Sequence, residues 1–258
     1  MSFKKAYKQE IQSAFKNQPA VPFSNLVEED IANLPGAVKE YLRYTGSLGK
    51  PKIQNVCVRA TGKIRSKPTD GWMYFNSEQY NFLFDPCRFF YIKAKKAGVP
   101  AVGLHLYKKE KATMEIKVAG LFKVVDAKGK EMDQGETVTL FNDMCFMAPA
   151  SLIDNRIQWE ELSPLRIKAR FTNGNITIEA ILCFEKDGRL TDFISNDRFE
   201  TTDGKVYKNY PWRTPVMEYG NFNGYRLPSK ADVIYVYPEG DFCYGKFELQ
   251  EILYNCTS

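Results

Sequence analysis

The sequence predicts a mainly β fold with helices (α+β): a curved antiparallel sheet, a half-barrel, wrapped around one central helix, with N-terminal helices packed at one end. Three observations predict it. From Ile53 onward, apolar residues alternate at a period of two through most of the chain. The strand-like runs are joined by hairpin signals, among them Asn173-Gly174 and Asp187-Gly188, without the helical crossovers that parallel strands need. One long central stretch, 135–159, carries a helical period instead. So many consecutive strands cannot stay flat in one open sheet, so the sheet must curl or split.

Taken in order, Phe3, Tyr7, Ile11 and Phe15 recur every fourth position and read as an amphipathic helix. Its stripe needs cover from the domain body or from another subunit. Residues 17–23, with Pro19 and Pro22, read as a linker. In a second helix Pro35 suits the first turn, Val38, Tyr41 and Leu42 make the apolar face, and Gly46 ends it. Residues 1–52 are thus expected as a helical segment packed on a main domain, 53–258. In that domain Val56, Val58 and Ala60 share one face of a strand, and 72–84 and 89–94 are strands apolar on both faces. Strands follow around 102–107, 114–118 and 121–125, with a hairpin turn expected at 126–129. The central helix is expected over 136–148, with Val138, Phe141, Met144, Cys145 and Ala148 on one face and Pro149 as its stop. Strands at 156–160, 165–171, 176–184 and 190–194 come next. A polar connection, 196–212, separates them from the last strands, 216–222, 231–237 and 242–254.

Composition narrows the function classes. The 258 residues carry 36 basic and 31 acidic side chains, net +5, with no dense basic block, so no nucleic-acid partner is expected. The six cysteines form no CxxC or Cys/His cluster, and His105 is the single histidine, between Leu104 and Leu106 in what reads as a plain strand position. No metal site and no cofactor are expected. No apolar run is long enough to span a bilayer and no signal peptide is visible, so the chain as it stands reads as cytoplasmic.

Two blocks carry a resemblance. The first is LPGAVKEYLRYTG, with Leu34, Pro35, Val38, Tyr41, Leu42 and Gly46; the second is ETVTLFNDMCFMAPASL, with Glu136, Asp143, Pro149 and Leu152. Together they resemble an uncharacterised bacterial domain family to which no reaction is assigned. More remotely, the layout is similar to the half-barrel of bacterial lipoprotein carriers such as LolA. That likeness implies a curved sheet around helices, able to hold acyl chains.

The candidate site follows from an excess of aromatic strand positions over one core face. Trp72, Tyr74, Phe82, Phe90, Met144, Met147 and Trp159 are expected to line a cleft between sheet and helix. Asn142 and Asp143, on the helix's polar side, and the arginines Arg156 and Arg198 are candidates for a ligand headgroup. Asp192, Asp197 and Glu200 are nearby candidates to satisfy Arg198. The expected function is non-catalytic binding of a hydrophobic or amphipathic small molecule, a lipid or acyl group. One alternative is an interaction protein with a closed core, docking through its N-terminal helix as a homodimer. The other is a hydrolase using paired carboxylates from Glu136, Asp143, Glu160 and Glu161.

Overall fold

The computed structural model describes residues 2–18, 24–96 and 98–257, apart from the Lys96 side chain; the expected linker lies, from residue 19 to 23, outside them. Three helices come first: α1 (Phe3–Asn17), α2 (Glu28–Ile31) and α3 (Gly36–Tyr44). Strands β1 (Asn55–Ile64), β2 (Met73–Phe82), β3 (Cys87–Lys96), β4 (Val99–Lys108), β5 (Lys111–Val118) and β6 (Phe122–Lys128) form an antiparallel meander. Helix α4 (Lys130–Met147) and a 3-10 turn (Pro149–Ile153) follow, then β7 (Ile157–Ser163), β8 (Arg166–Asn173), β9 (Ile176–Phe184) and β10 (Leu190–Ser195). Short strands β11 (Phe199–Glu200), β12 (Lys208–Asn209) and β13 (Trp212–Arg213) lead to β14 (Val216–Phe222), β15 (Tyr225–Tyr237) and β16 (Gly240–Tyr254).

Among the described residues, fourteen strands make one sheet in the order β6-β5-β4-β3-β2-β1-β16-β15-β13-β10-β9-β8-β7, with β14 on the side of β15. The last strand pairs with the first, Val58 opposite Ile252, and joins the two meanders. The sheet curves as a half-barrel around α4. Apolar side chains of α4 meet the far meander, where the Phe141 ring stacks on Phe171 at 5.2 Å and packs on Phe193 at 5.7 Å. Strands β2–β4 carry buried apolar side chains on both faces because each face is covered over part of its length. Tyr7, Ile11 and Ala14 of α1 pack on the outer face, against Phe82, Cys87, Phe89 and Leu104. The N-terminal helices thus sit at one end of the sheet and cover this chain's own strands, which is where the Phe3–Phe15 stripe finds its partner.

Three local expectations are corrected. The helix begins at Lys130, six residues before the expected start, and the expected hairpin turn at 126–129 is strand up to Lys128. Gly129, at φ +113°, makes the abrupt change from strand to helix. The first-turn acids Glu131 and Asp133 suit a helix N-terminus, which the apolar period alone does not register. The polar connection at 196–212 contains a small two-stranded sheet, β11 with β12.

Candidate functional site

Helix α4 has no solvent face: fourteen of its residues are buried, including Asp133, Glu136, Asn142 and Asp143. A carboxylate in such a place needs donors. The inner positions of the near meander supply them. Asp143 Oδ2 accepts from Arg88 Nε at 2.7 Å, Gln79 Nε2 at 2.6 Å and Asn81 Nδ2 at 3.0 Å. Arg88 Nη1 donates to Glu136 Oε2 at 3.0 Å, and its Nη2 to Gln79 Oε1 at 3.0 Å. His105 Nδ1 stands 3.7 Å from Glu136 Oε1. Glu136 and Asp143 lie two turns apart on one face of the helix, and one guanidinium fork spans both.

Burial alone would raise the Glu136 carboxyl, but Arg88, His105 and Arg198 outweigh it and hold that group well below the usual carboxylate range. Desolvation works against the Arg88 charge, and the two carboxylates more than restore it. Arg198 donates to Tyr235 and, at 3.2 Å, to Thr139 Oγ1, and its guanidinium lies 4.8 Å from the Trp212 ring centroid. The acids expected to satisfy Arg198 serve other groups: Asp192 pairs with Arg213, Asp197 accepts from Glu179 N, and Glu200 from Tyr237. His105 is likewise no plain strand position, since it points at the helix.

The same logic holds the ends of α4. Asp133 accepts from Ala112 N at 2.7 Å and Lys111 Nζ at 2.8 Å. At the C-terminus, where carbonyls lose their helical partners, Tyr41 donates to Cys145 O at 2.8 Å and Tyr254 to Met147 O at 2.5 Å. This centre is closed and internally satisfied. Both carboxylates are taken up by the buried donors of this centre: Glu136 is held ionised and Asp143 accepts three donors. Glu160 and Glu161 lie exposed on β7.

The expected cleft residues are spread over several surroundings. Phe82 packs under α1 on the outer face, while Phe90 lies on the inner face, 5.5 Å from the His105 ring. Met144 is fully packed in the core, with Met147 and Trp159 half-buried at its margin. Trp72 lies outside that core, its ring 4.6 Å from the Arg65 guanidinium. Asn142 donates to Thr214 Oγ1 at 2.7 Å. Arg156 is clamped by Asp154, donates to Leu83 O at 2.6 Å, and borders a groove of about 480 Å³ formed with Ser24, Lys52, Phe84 and the 3-10 turn.

Tyr74, 70% exposed, opens on a different recess. A groove of about 610 Å³ lies where β1, β2, β15 and β16 twist past one another, with Phe75, Phe247, Ala231 and Met217 among its apolar lining. Gly62 permits that twist: a Cβ there would stand 2.1 Å from Lys246 O and 2.8 Å from the Phe75 ring. Lys63, Lys230 and Lys246 rim it, with Asp232 and Glu248. Lys230 pairs with Glu218 at 2.9 Å and Lys246 with Asp232 at 2.5 Å, whereas Lys63 lies 5.1 Å from the Trp72 ring and makes no ion pair with a described carboxylate.

Sequence reasoning missed Gln79, Asn81 and Arg88, whose signal was polar residues recurring at alternate positions in otherwise aromatic strands. It also missed the groove, of whose lining it named Tyr74 alone, and whose other trace was Gly62, a glycine inside a strand pattern.

Among solved structures, the fold is similar to a DUF1329 family protein from Desulfovibrio piger, at 10% identity and a TM-score of 0.46 over 86% of this chain and 93% of the other. It is also similar to a LolA superfamily protein from Nitrosomonas europaea, at 7% identity and a TM-score of 0.44 over 85% and 94%. These amount to a weak resemblance to the LolA-like half-barrel. A comparison with curated proteins found no match. The profile of a family of unknown function, DUF6544, matches residues 24–247, most of the sheet and all of α4, and the chain belongs to that family.

Proposed function

We propose that this protein binds, without catalysis, an amphipathic small molecule with an acyl or other apolar body and an anionic head, in the groove of about 610 Å³. The carrying observation is the combination there of an apolar lining and a lysine, Lys63, that no described carboxylate neutralises. That volume lies in the usual range for small-molecule sites, about 300–1,000 Å³. Phe75, Phe247 and Met217 would meet the apolar body, and Lys63 the head. The half-barrel supports this reading as a frame: it holds α4 in a closed core and leaves the binding surface to the twisted meeting of first and last strands. The space between α4 and the sheet, where the aromatic residues suggested a cleft, is occupied by side chains such as Phe141, Met144 and Phe146.

The test is titration of organic-extracted protein with cis-parinaric acid, a fluorescent fatty acid. One saturable site is expected. Lys63→Glu, a change at a half-buried strand position whose thermal midpoint checks that the variant folds, is expected to weaken binding by about tenfold, the loss of one charge-assisted contact of about 1.5 kcal/mol. No saturable binding, or equal binding by Lys63→Glu and by a Phe247→Ala variant that remains folded, would overturn the reading.

A further inference from the structure

At the end of the sheet away from α3, the hairpin joining β5 to β6 and the start of β4 form one protruding tip. Ala119 at φ +51° and Gly120 at φ +72° fold the turn tightly, and Ala119 N donates to Pro100 O at 2.9 Å, tying it to β4. The side chains presented there are large and apolar: Leu121 is 80% exposed, Phe122 67% and Val99 47%. Single exposed apolar residues are ordinary, but two neighbours at one turn with a third at the start of the strand tied to it are not.

Behind the tip, the register builds a basic row. Lys93 is opposite Val102, Val102 opposite Lys117, and Lys117 opposite Lys123, while Lys95 stands opposite Pro100 beside the turn. Alternation along β3 puts Lys93 and Lys95 on its outer face, the face that carries Phe89 under α1. Lys123 is taken by Glu115 and Asp126. Lys93, Lys95 and Lys117 form no ion pair with a described carboxylate; Lys117 lies 4.6 Å over the Phe3 ring, and Lys93 5.8 Å from that of Tyr91.

We infer that this end docks on an anionic phospholipid surface, with Leu121, Phe122 and Val99 entering the interface and Lys93, Lys95 and Lys117 lying against the phosphates. Charge and shape select that occupant. A stable dimer covers about 800 Å² per partner, and one turn and one strand end with three exposed apolar side chains offer less. A bilayer asks only for a few inserted apolar groups and a flanking basic patch, each lysine adding about fivefold in affinity near an anionic surface. The inference stands whether or not the groove takes a ligand, because its readout is vesicle binding by organic-extracted protein.

The experiment is co-sedimentation of the full chain with vesicles of phosphatidylcholine alone and of phosphatidylcholine mixed with phosphatidylglycerol. Binding to the mixed vesicles is expected, weakening with added salt. The double variant L121S/F122S is expected to lower it by more than about tenfold, and K93E/K95E/K117E to remove the preference for phosphatidylglycerol. Four of the five positions are exposed and Lys117 is half-buried, and unchanged thermal midpoints are expected to show that both variants fold. Failure of the native chain to pellet with the mixed vesicles would overturn the inference, as would undiminished binding by L121S/F122S. A light-scattering mass of two chains that L121S/F122S returns to one would also overturn it, in favour of a second copy on the tip.

Discussion

Replacing Arg88 by methionine tests the electrostatic centre most directly. The substitution keeps an unbranched side chain of similar length and removes one fork that bonds Asp143, Glu136 and Gln79. Breaking a buried ion pair from one side costs about 3–5 kcal/mol, and here two carboxylates lose the same partner. His105 and Arg198 still face Glu136, which limits the loss to that range. In a domain of this size, it corresponds to a fall in melting temperature of about 6–20 °C. The deficit must also depend on pH. Glu136 titrates at about 2 in the folded chain against an ordinary 4.5, so the stability it contributes is fully present above the ordinary value and is lost as pH falls towards the folded one. In Arg88→Met the main cause of that depression is gone, and the carboxyl can escape its burial only by taking a proton. Urea melts of both proteins at about pH 7 and about pH 4 should therefore show the larger gap at the higher pH. A gap below about 1 kcal/mol at neutral pH, or one that does not narrow in acid, would refute the assignment of Arg88 as the counter-charge.

Other perturbations read other parts of the frame. Tyr107 donates to Thr137 Oγ1 and accepts from Asn173 Nδ2, so Tyr107→Phe leaves two buried groups short and is expected to cost about 1–3 kcal/mol in denaturant melts. Burial pushes the Cys57 thiol up to about 11, Cys87 to about 12 and Cys145 upward as well. These three should resist a disulfide reagent at about pH 8 until the chain is unfolded, because the thiolate is the reactive form. Deleting residues 1–18 uncovers Phe82, Phe89 and Leu104. It is expected to lower the melting temperature and raise binding of an apolar dye, both absent if α1 covers only a second copy.

Much of the frame was legible because it rests on local chemistry. Asn173-Gly174, with Gly174 at φ +56°, makes the turn its dipeptide announces, and the double-sided apolarity of 72–94 required a second cover, which α1 supplies. The central helix was legible in its middle, but not at its start. The site was less legible, for a physical reason. Period-two patterning tells which residues share a face, not what that face meets. Gln79, Asn81 and Arg88 are three residues of a plain inner face until β2 and β3 are set against α4. His105 resembles a strand filler until its register opposite Phe90 and Met114 turns it towards Glu136. The groove depends on how four strands twist past Gly62, which no local pattern carries.

A charged cluster inside a core is not needed for stability as such, since well-packed apolar replacements of buried ion pairs are often neutral or stabilising. Its use follows from the helix it holds. Helix α4 is buried on every side, so burial alone sets neither its rotation nor its position along its axis. Glu136 and Asp143, two turns apart on one guanidinium, fix both at once along the middle of the helix, whereas Tyr41 and Tyr254 at one end and Ala112 N at the other tie only its termini. The prediction is a separation of stability from uniqueness. A triple variant with Arg88→Met, Glu136→Leu and Asp143→Leu leaves Gln79 and Asn81 short of partners and should melt about 1–3 kcal/mol below the native chain, no worse than Arg88→Met alone. It should nevertheless lose near-ultraviolet dichroism and spread its amide resonances, because the helix no longer has one seat. A triple variant with one sharp set of resonances and native dichroism would show that packing alone seats α4. The cluster would then need another use.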